Sequence, residues 1–296
     1  MQRSSGKMVK WRYNFSTLLF FLPVIIYLFV FLWYPFIFGV WMSFHKWIYI
    51  IVQEPTFIGL TNYIELFRSP IFQEALRVTA IYVTATAIQL FLGLLAALVL
   101  NEPIKGKSVI AGLLIVGYAM PEMATGGVWK FMYDANFGIL NVFLYDIGVI
   151  DRFIPWLTDP NFAVWAITLA NAWKFWPFVF LILLAALQGI PKDFYDAAKV
   201  FGANAWQRFL YVTLPQLKTA IVVVLIIRIA WNLSKFAEIF MMTEGGPGFA
   251  TTNTALFIYR RAYQAFQFGE AFAAGVILLA IIVPLVFLYY KVMVKK

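Results

Sequence analysis

The sequence predicts an all-α integral membrane protein with six transmembrane helices. Three observations lead there. Of the 296 residues, 63% are hydrophobic and only 12% are charged, whereas a soluble domain is about half apolar and about a quarter charged. The apolar residues are gathered into long blocks. Lys and Arg crowd between alternate blocks. A chain crossing hydrocarbon must satisfy its backbone hydrogen bonds internally, so each block is expected as a helix.

The blocks are 15–43, 78–100, 109–129, 162–188, 219–242 and 271–290. The first carries no charge from Asn14 to Phe44. At ~1.5 Å per residue it exceeds the ~30 Å hydrocarbon core. Its length, with no small-x-small site after it, reads as a span and not as a cleaved signal peptide. Six spans put the tails 1–14 and 291–296 on one side of the membrane. That side holds Arg3, Lys7, Lys10, Arg12, Lys105, Lys107, Lys192, Lys199, Arg208, Lys218, Lys291, Lys295 and Lys296. The other, with longer loops, holds only Lys46, Arg68, Arg77, Lys130, Arg152, Arg260 and Arg261. Positive charge marks the cytoplasmic side, so both termini are expected there. This placement accounts for the net charge of +9 without nucleic acid. Segments 45–77 and 243–270 are expected as outer surface helices or turns. Trp33, Tyr34, Trp41, Trp47 and Tyr49 read as an interfacial aromatic belt. The absence of cysteine excludes disulfides and thiolate metal sites.

The loop of about residues 189–215 carries the strongest pattern. Pro191 suits a first helical turn. Phe194, Ala197, Ala198 and Phe201 then fall on one helical face. Gly202 can end that helix. Trp206, Phe209, Leu210 and Thr213 repeat the spacing on a second short helix, which Pro215 is expected to stop. Spacing alone leaves two readings open: an amphipathic pair on the membrane surface, or a docking element for a partner.

The same segment resembles the EAA loop of ABC importer permeases. Asp196-Ala197-Ala198, Gly202-Ala203 and Leu214-Pro215 match its acidic-Ala-Ala, Gly-Ala and Leu-Pro. Asp196 replaces the usual Glu, and Phe201 replaces an acidic residue before Gly-Ala. Gly59-Leu60-Thr61-Asn62-Tyr63, Asn101 with Lys105-Gly106-Lys107, Tyr118-Ala119-Met120-Pro121, Phe137-Gly138-Ile139-Leu140-Asn141 and Gly245-Gly246-Pro247-Gly248 extend the likeness over about residues 57–290. The chain is thus similar to permease subunits of bacterial sugar importers of the maltose and glycerol-phosphate type. The resemblance implies a type I ABC importer permease fold in the bacterial cytoplasmic membrane. It implies a second permease subunit, two ATPase subunits, a periplasmic or extracellular solute-binding protein and a saccharide substrate. Asp196, Ala197, Ala198, Phe201, Gly202, Ala203 and Pro215 would couple to the ATPase. The chain has no G-x-x-x-x-G-K-[ST] loop. No cofactor is expected on it, and ATP with Mg belongs to the partner ATPases.

Five charges fall inside the apolar blocks: Glu122, Lys174, Arg228, Lys235 and Glu238. Each costs at least ~2.5–3.5 kcal/mol in hydrocarbon on insertion scales, and such residues usually mark a pathway. Arg228, Asn232 and Lys235 stand at i, i+4 and i+7, one face of a helix. Glu238 lies nearer a span end, where snorkelling can serve it. The charges can also pair simply to hold helices together. The resemblance to the maltose importer's larger permease places sugar contacts at Tyr118, Glu122, Lys174, Phe175, Phe178, Arg228, Asn232 and Lys235. Three cations against Glu122 then favour an acidic, uronate-containing oligosaccharide, with Arg suited to carboxylate or phosphate. Glycerol phosphate or a neutral oligosaccharide is the alternative. An ion-coupled carrier, with Glu122 and Glu238 moving protons, is a rival from another class. An intramembrane enzyme has only His45 to offer, with no carboxylate or nucleophile beside it.

Overall fold

The computed structural model describes residues 15–49, 51 and 54–294. The expected tail 1–14 and the last two residues lie outside that range. Five helices are long and apolar enough to cross a bilayer, and a sixth crossing forms if one bent pair is counted together.

The first span comprises α1 (Phe15–Leu28), a π-helical turn (Phe29–Trp33) and α2 (Tyr34–Met42). Its side chains from Leu19 to Phe38 are exposed, as lipid contact requires, and Gly39 and Met42 are its first buried residues. A short hairpin follows, β1 (His45–Lys46) against β2 (Thr56–Phe57), and then α3 (Thr61–Arg68). His45 is buried there with Nδ1 2.8 Å from the Trp41 carbonyl, so it fastens the hairpin to α2. Trp47 packs on Phe268 at 5.0 Å and belongs to a seam between loops, while Trp33, Tyr34, Trp41 and Tyr49 remain exposed.

The second span is α4 (Pro70–Val83) continued by α5 (Ala85–Asn101). Its start is set by Ser69, whose hydroxyl accepts from the Phe72 amide, with Pro70 in the first turn. The fourth is α9 (Pro160–Gln188), capped in the same way by Asp159. α5 and α9 pack along their length through Ala97, Val179, Phe180 and Leu183.

Two expected continuous spans are broken. The third divides into α6 (Lys107–Ala119) and α7 (Glu122–Met132), bent by 93°. Pro121 has no N–H to donate and disfavours helical backbone at Met120, whose ψ is 143°. The fifth runs from α11 (Ala205–Arg208) through a π-helical turn (Phe209–Thr213) into α12 (Leu214–Leu233), then breaks before α13 (Ala237–Thr243). Pro215 therefore does not stop a helix. It sits in the first turn of α12, where its missing N–H is tolerated after the wider π turn. The break at Ser234–Phe236 also removes Lys235 from the helix that carries Arg228 and Asn232.

α7 and α13 lie against each other. A Cβ on Gly126 would approach the Glu238 carbonyl oxygen to 2.9 Å, so only glycine permits this contact. α8 (Ile139–Asp146), α14 (Thr254–Tyr259) and α15 (Phe268–Val294) complete the bundle, with α10 (Lys192–Val200) at its opposite end. One core cluster gathers Tyr82, Trp129, Ile167, Ile239 and Leu256, and another gathers Ala97, Phe180, Leu183, Leu217 and Val224. Between these clusters, along α5, α9 and α12, runs a buried polar layer.

Candidate functional site: a cation layer behind aromatic rings

The polar layer is built by helices whose apolar flanks hold them in place. Thr86 and Gln89 come from α5, Asn171 and Lys174 from α9, and Arg228 and Asn232 from α12. Arg228 is fully buried; it donates Nε to Gln89 and Nη2 to Asn232, each at 2.9 Å. Asn232 donates in turn to Thr86 at 2.9 Å, and Gln89 donates to Asn171 Oδ1 at 2.8 Å. Asn171 and Tyr82 both donate to Glu238. Glu238 is therefore a fully enclosed network member, and snorkelling is not its role.

Lys174 is 1% exposed and reaches neither carboxylate. Its ammonium donates to the Met120 carbonyl at 2.5 Å and to Thr125 Oγ1 at 3.1 Å. Met120 ends α6, so this cation satisfies orphan acceptors at the helix break and favours the local dipole. The expected pairing among the charges exists once here: Lys235 forms an ion pair with Glu122.

Phe175 stands at the centre. Its ring centroid lies 4.2 Å from the Arg228 guanidinium carbon, 4.0 Å from Lys235 Nζ and 5.3 Å from Lys174 Nζ. All three are cation–π distances. Beside it the rings of Tyr118, Phe178 and Trp231 form a more open surface, with centroids 5.9 Å and 5.1 Å apart along the series. Such rings suit stacking against an apolar sugar face.

The structure thus brings Tyr118, Glu122, Lys174, Phe175, Phe178, Arg228, Asn232 and Lys235 into one cluster. It leaves only Tyr118, Glu122 and Phe178 of these partly open. Arg228, Asn232 and Lys174 are closed off and internally bonded in this state. Glu238 is a second carboxylate beside the three cations, which reduces the excess positive charge expected from Glu122 alone. Tyr82, Thr86, Gln89, Asn171 and Trp231 were missed. A signal existed: Tyr82, Thr86 and Gln89 share a helical face at i, i+4 and i+7 inside an apolar block.

At the opposite end, α10 is held to the π-helical turn by Tyr195 and Thr213 hydroxyls 3.1 Å apart. None of its residues is buried. Gly202 follows at φ +77°, a left-handed turn that disfavours any side chain. Asn204 and Gln207 form a capping box that starts α11. Phe201 is 90% exposed, and Val200, Trp206 and Tyr211 are also open. Asp196 pairs with Lys199 at 2.9 Å, which holds its carboxyl below the usual range.

The chain thus carries an exposed helix-turn-helix at one end and interrupted spans around a buried polar cluster. Residues 89–296 match the family of binding-protein-dependent transport system inner membrane components. The chain belongs to that family. It is a permease subunit, a non-catalytic membrane component of an ABC transporter, and this replaces the ion-coupled carrier and the intramembrane enzyme. The permease is 34% identical over 275 residues to a trehalose/maltose transport system permease of Thermococcus litoralis, covering 93% of this chain and 92% of that one. It is 35% identical over 241 residues to a sulfoquinovosyl glycerol transport system permease of Agrobacterium fabrum, covering 81% and 78%. Among solved structures it is similar to a bacterial ABC transporter involved in import of the acidic polysaccharide alginate. There the TM-score is 0.76 at 26% identity, over 93% of this chain and 95% of that one. A bacterial alginate ABC transporter in complex with an alginate pentasaccharide-bound periplasmic protein matches at TM-score 0.76 and 25% identity, over 93% of this chain and 92% of that one.

Proposed function

We propose that this permease is one of two unlike membrane subunits of an ATP-driven importer that carries an acidic oligosaccharide through the Phe175 cluster. One observation carries the reading: three cations lie within cation–π distance of one ring, behind a more open aromatic surface. Aromatic faces would stack on sugar rings, and the cations would balance carboxylates. The relatives named for saccharides, including the acidic polysaccharide transporter, support this substrate class.

The remaining assembly follows the same reading. Both termini and α10 face the cytoplasm. There the exposed apolar edge of Phe194 and Phe201 docks on one of two ATPase subunits, which bind ATP and Mg. A solute-binding protein delivers sugar at the other end. Closure of the ATPases pushes α10, and α11 to α12 transmit the push as one continuous helix to the Phe175 layer.

The test is ATPase stimulation and uptake in the reconstituted transporter, with acidic and neutral oligosaccharides of equal length. Stimulation by the acidic one supports the proposal, and stimulation by the neutral one alone defeats the acidic class. The ion pair of Glu122 with Lys235 and the capping role of Lys174 favour a second reading, a neutral oligosaccharide bound by the rings alone.

A further inference from the structure

Glu122 opens α7 directly after the Met120–Pro121 break, and Lys235 lies in the break between α12 and α13. Their ion pair therefore joins the two interrupted spans. The partners are unequally placed. The Lys235 side chain is 10% exposed and the Glu122 side chain 35% exposed. Glu122 is the rim member and covers an ammonium that otherwise faces the Phe175 ring.

Neither break needs this pair for its construction. Lys174 caps the end of α6, and Asn253 donates to the Lys235 carbonyl at 2.6 Å while its Oδ1 caps α14. The same cluster also holds an open donor. Arg228 Nη1 is buried with no hydrogen-bond partner among the described residues, beside the ring that Lys235 covers. A buried donor without an acceptor is rare enough to require an explanation.

Resting on the acidic-ligand reading above, we infer that Glu122 is an internal stand-in for the ligand's anionic group. In the empty site its carboxylate neutralises Lys235. An arriving saccharide carboxylate takes Lys235 from it and supplies the acceptor that Arg228 Nη1 lacks. One carboxylate replaces another, so the ammonium is never left bare in the bilayer. A neutral saccharide offers no such exchange and leaves α7 latched to the α12–α13 break. Glu122 is thus a specificity-determining residue, and its release unties the start of α7 from the α12–α13 break.

The assembled transporter with its binding protein tests this, using a uronate tetrasaccharide and a neutral tetrasaccharide. The same binding protein serves every variant, so its own preference cancels. Glu122→Gln is expected to lower the uronate concentration for half-maximal ATPase stimulation by roughly threefold to tenfold, tenfold being about 1.4 kcal/mol. The neutral value should fall less, because only the latch and not the carboxylate exchange acts on it. Lys235→Met should abolish the gain in the double variant. A rise in the uronate value with Glu122→Gln, or an equal shift for both sugars, would overturn the stand-in role. Failure of the acidic-ligand reading looks different: the wild type itself would then respond equally to both sugars, or better to the neutral one. A substrate-free measurement guards against misfolding. Spin labels on the exposed positions Val128 in α7 and Ser234 in the α12–α13 break should show a broader distance distribution in Glu122→Gln than in the wild type. An unchanged distribution would overturn the latch. Should Glu122→Gln fail to assemble, Glu122→Asp keeps the charge but shortens its reach, and a smaller shift in the same direction is expected; a shift in the opposite direction would overturn the inference.

Discussion

At the scale of single residues, Lys174 shows how one charge can meet two demands. Its ammonium satisfies the carbonyl at the end of α6 and also faces Phe175. Lys174→Met removes the donor and leaves a buried acceptor unpaired, at a cost of about 1–3 kcal/mol. A lower thermal midpoint of the purified transporter is expected, even without sugar. If the midpoint holds while uronate stimulation disappears, the residue serves the ligand and not the fold. The sequence made all five intramembrane charges visible, because a charge stands out among the apolar residues of a block. It did not reveal their partners. Pairing Lys235 with Glu122, and Glu238 with Tyr82 and Asn171, depends on how helices distant in sequence are packed. Uncharged members such as Gln89 and Asn171 escaped notice because amides disturb hydropathy far less than charges do.

At the scale of elements, α10 and its Gly202 turn were legible because helical spacing and a helix-ending glycine are local properties. The two broken spans were not, because an apolar block keeps its composition whether or not the backbone runs straight. Pro121 was the available clue to the first. Nothing as strong marks Ser234–Phe236, and the fold supplies the reason there through Asn253, which holds the Lys235 carbonyl. Pro215 misled in the other direction, since a π-helical turn before it lets the helix continue. α10 also offers a clean test of coupling. Phe201 is 90% exposed, so Phe201→Asp should leave the stability within about 0.5 kcal/mol of the wild type, read as a nearly unchanged thermal midpoint. Sugar-stimulated ATPase activity should fall severalfold if the ring docks on a partner. Retention of full stimulation would assign Phe201 to lipid contact.

At the scale of the whole molecule, six crossings, with the bent α6–α7 pair counted as one, would place loops 102–106 and 189–204 at one end, opposite the loops 133–159 and 244–267. The sequence has no cysteine, so single cysteines can be introduced without background. Asp196→Cys should react with a membrane-impermeant maleimide only in inside-out vesicles, and Asn136→Cys only in right-side-out ones. The reverse pattern would invert the proposed orientation. The interrupted spans have one more consequence, read in isotopes. Lys235 N lies 3.5 Å from the Asn232 carbonyl, a poor bond in the break between the ladders of α12 and α13. An amide so weakly held trades hydrogen for deuterium as soon as water arrives, while its helical neighbours resist. Mass spectrometry of peptides spanning this region, with and without nucleotide, should therefore time the entry of solvent at the centre of the bundle.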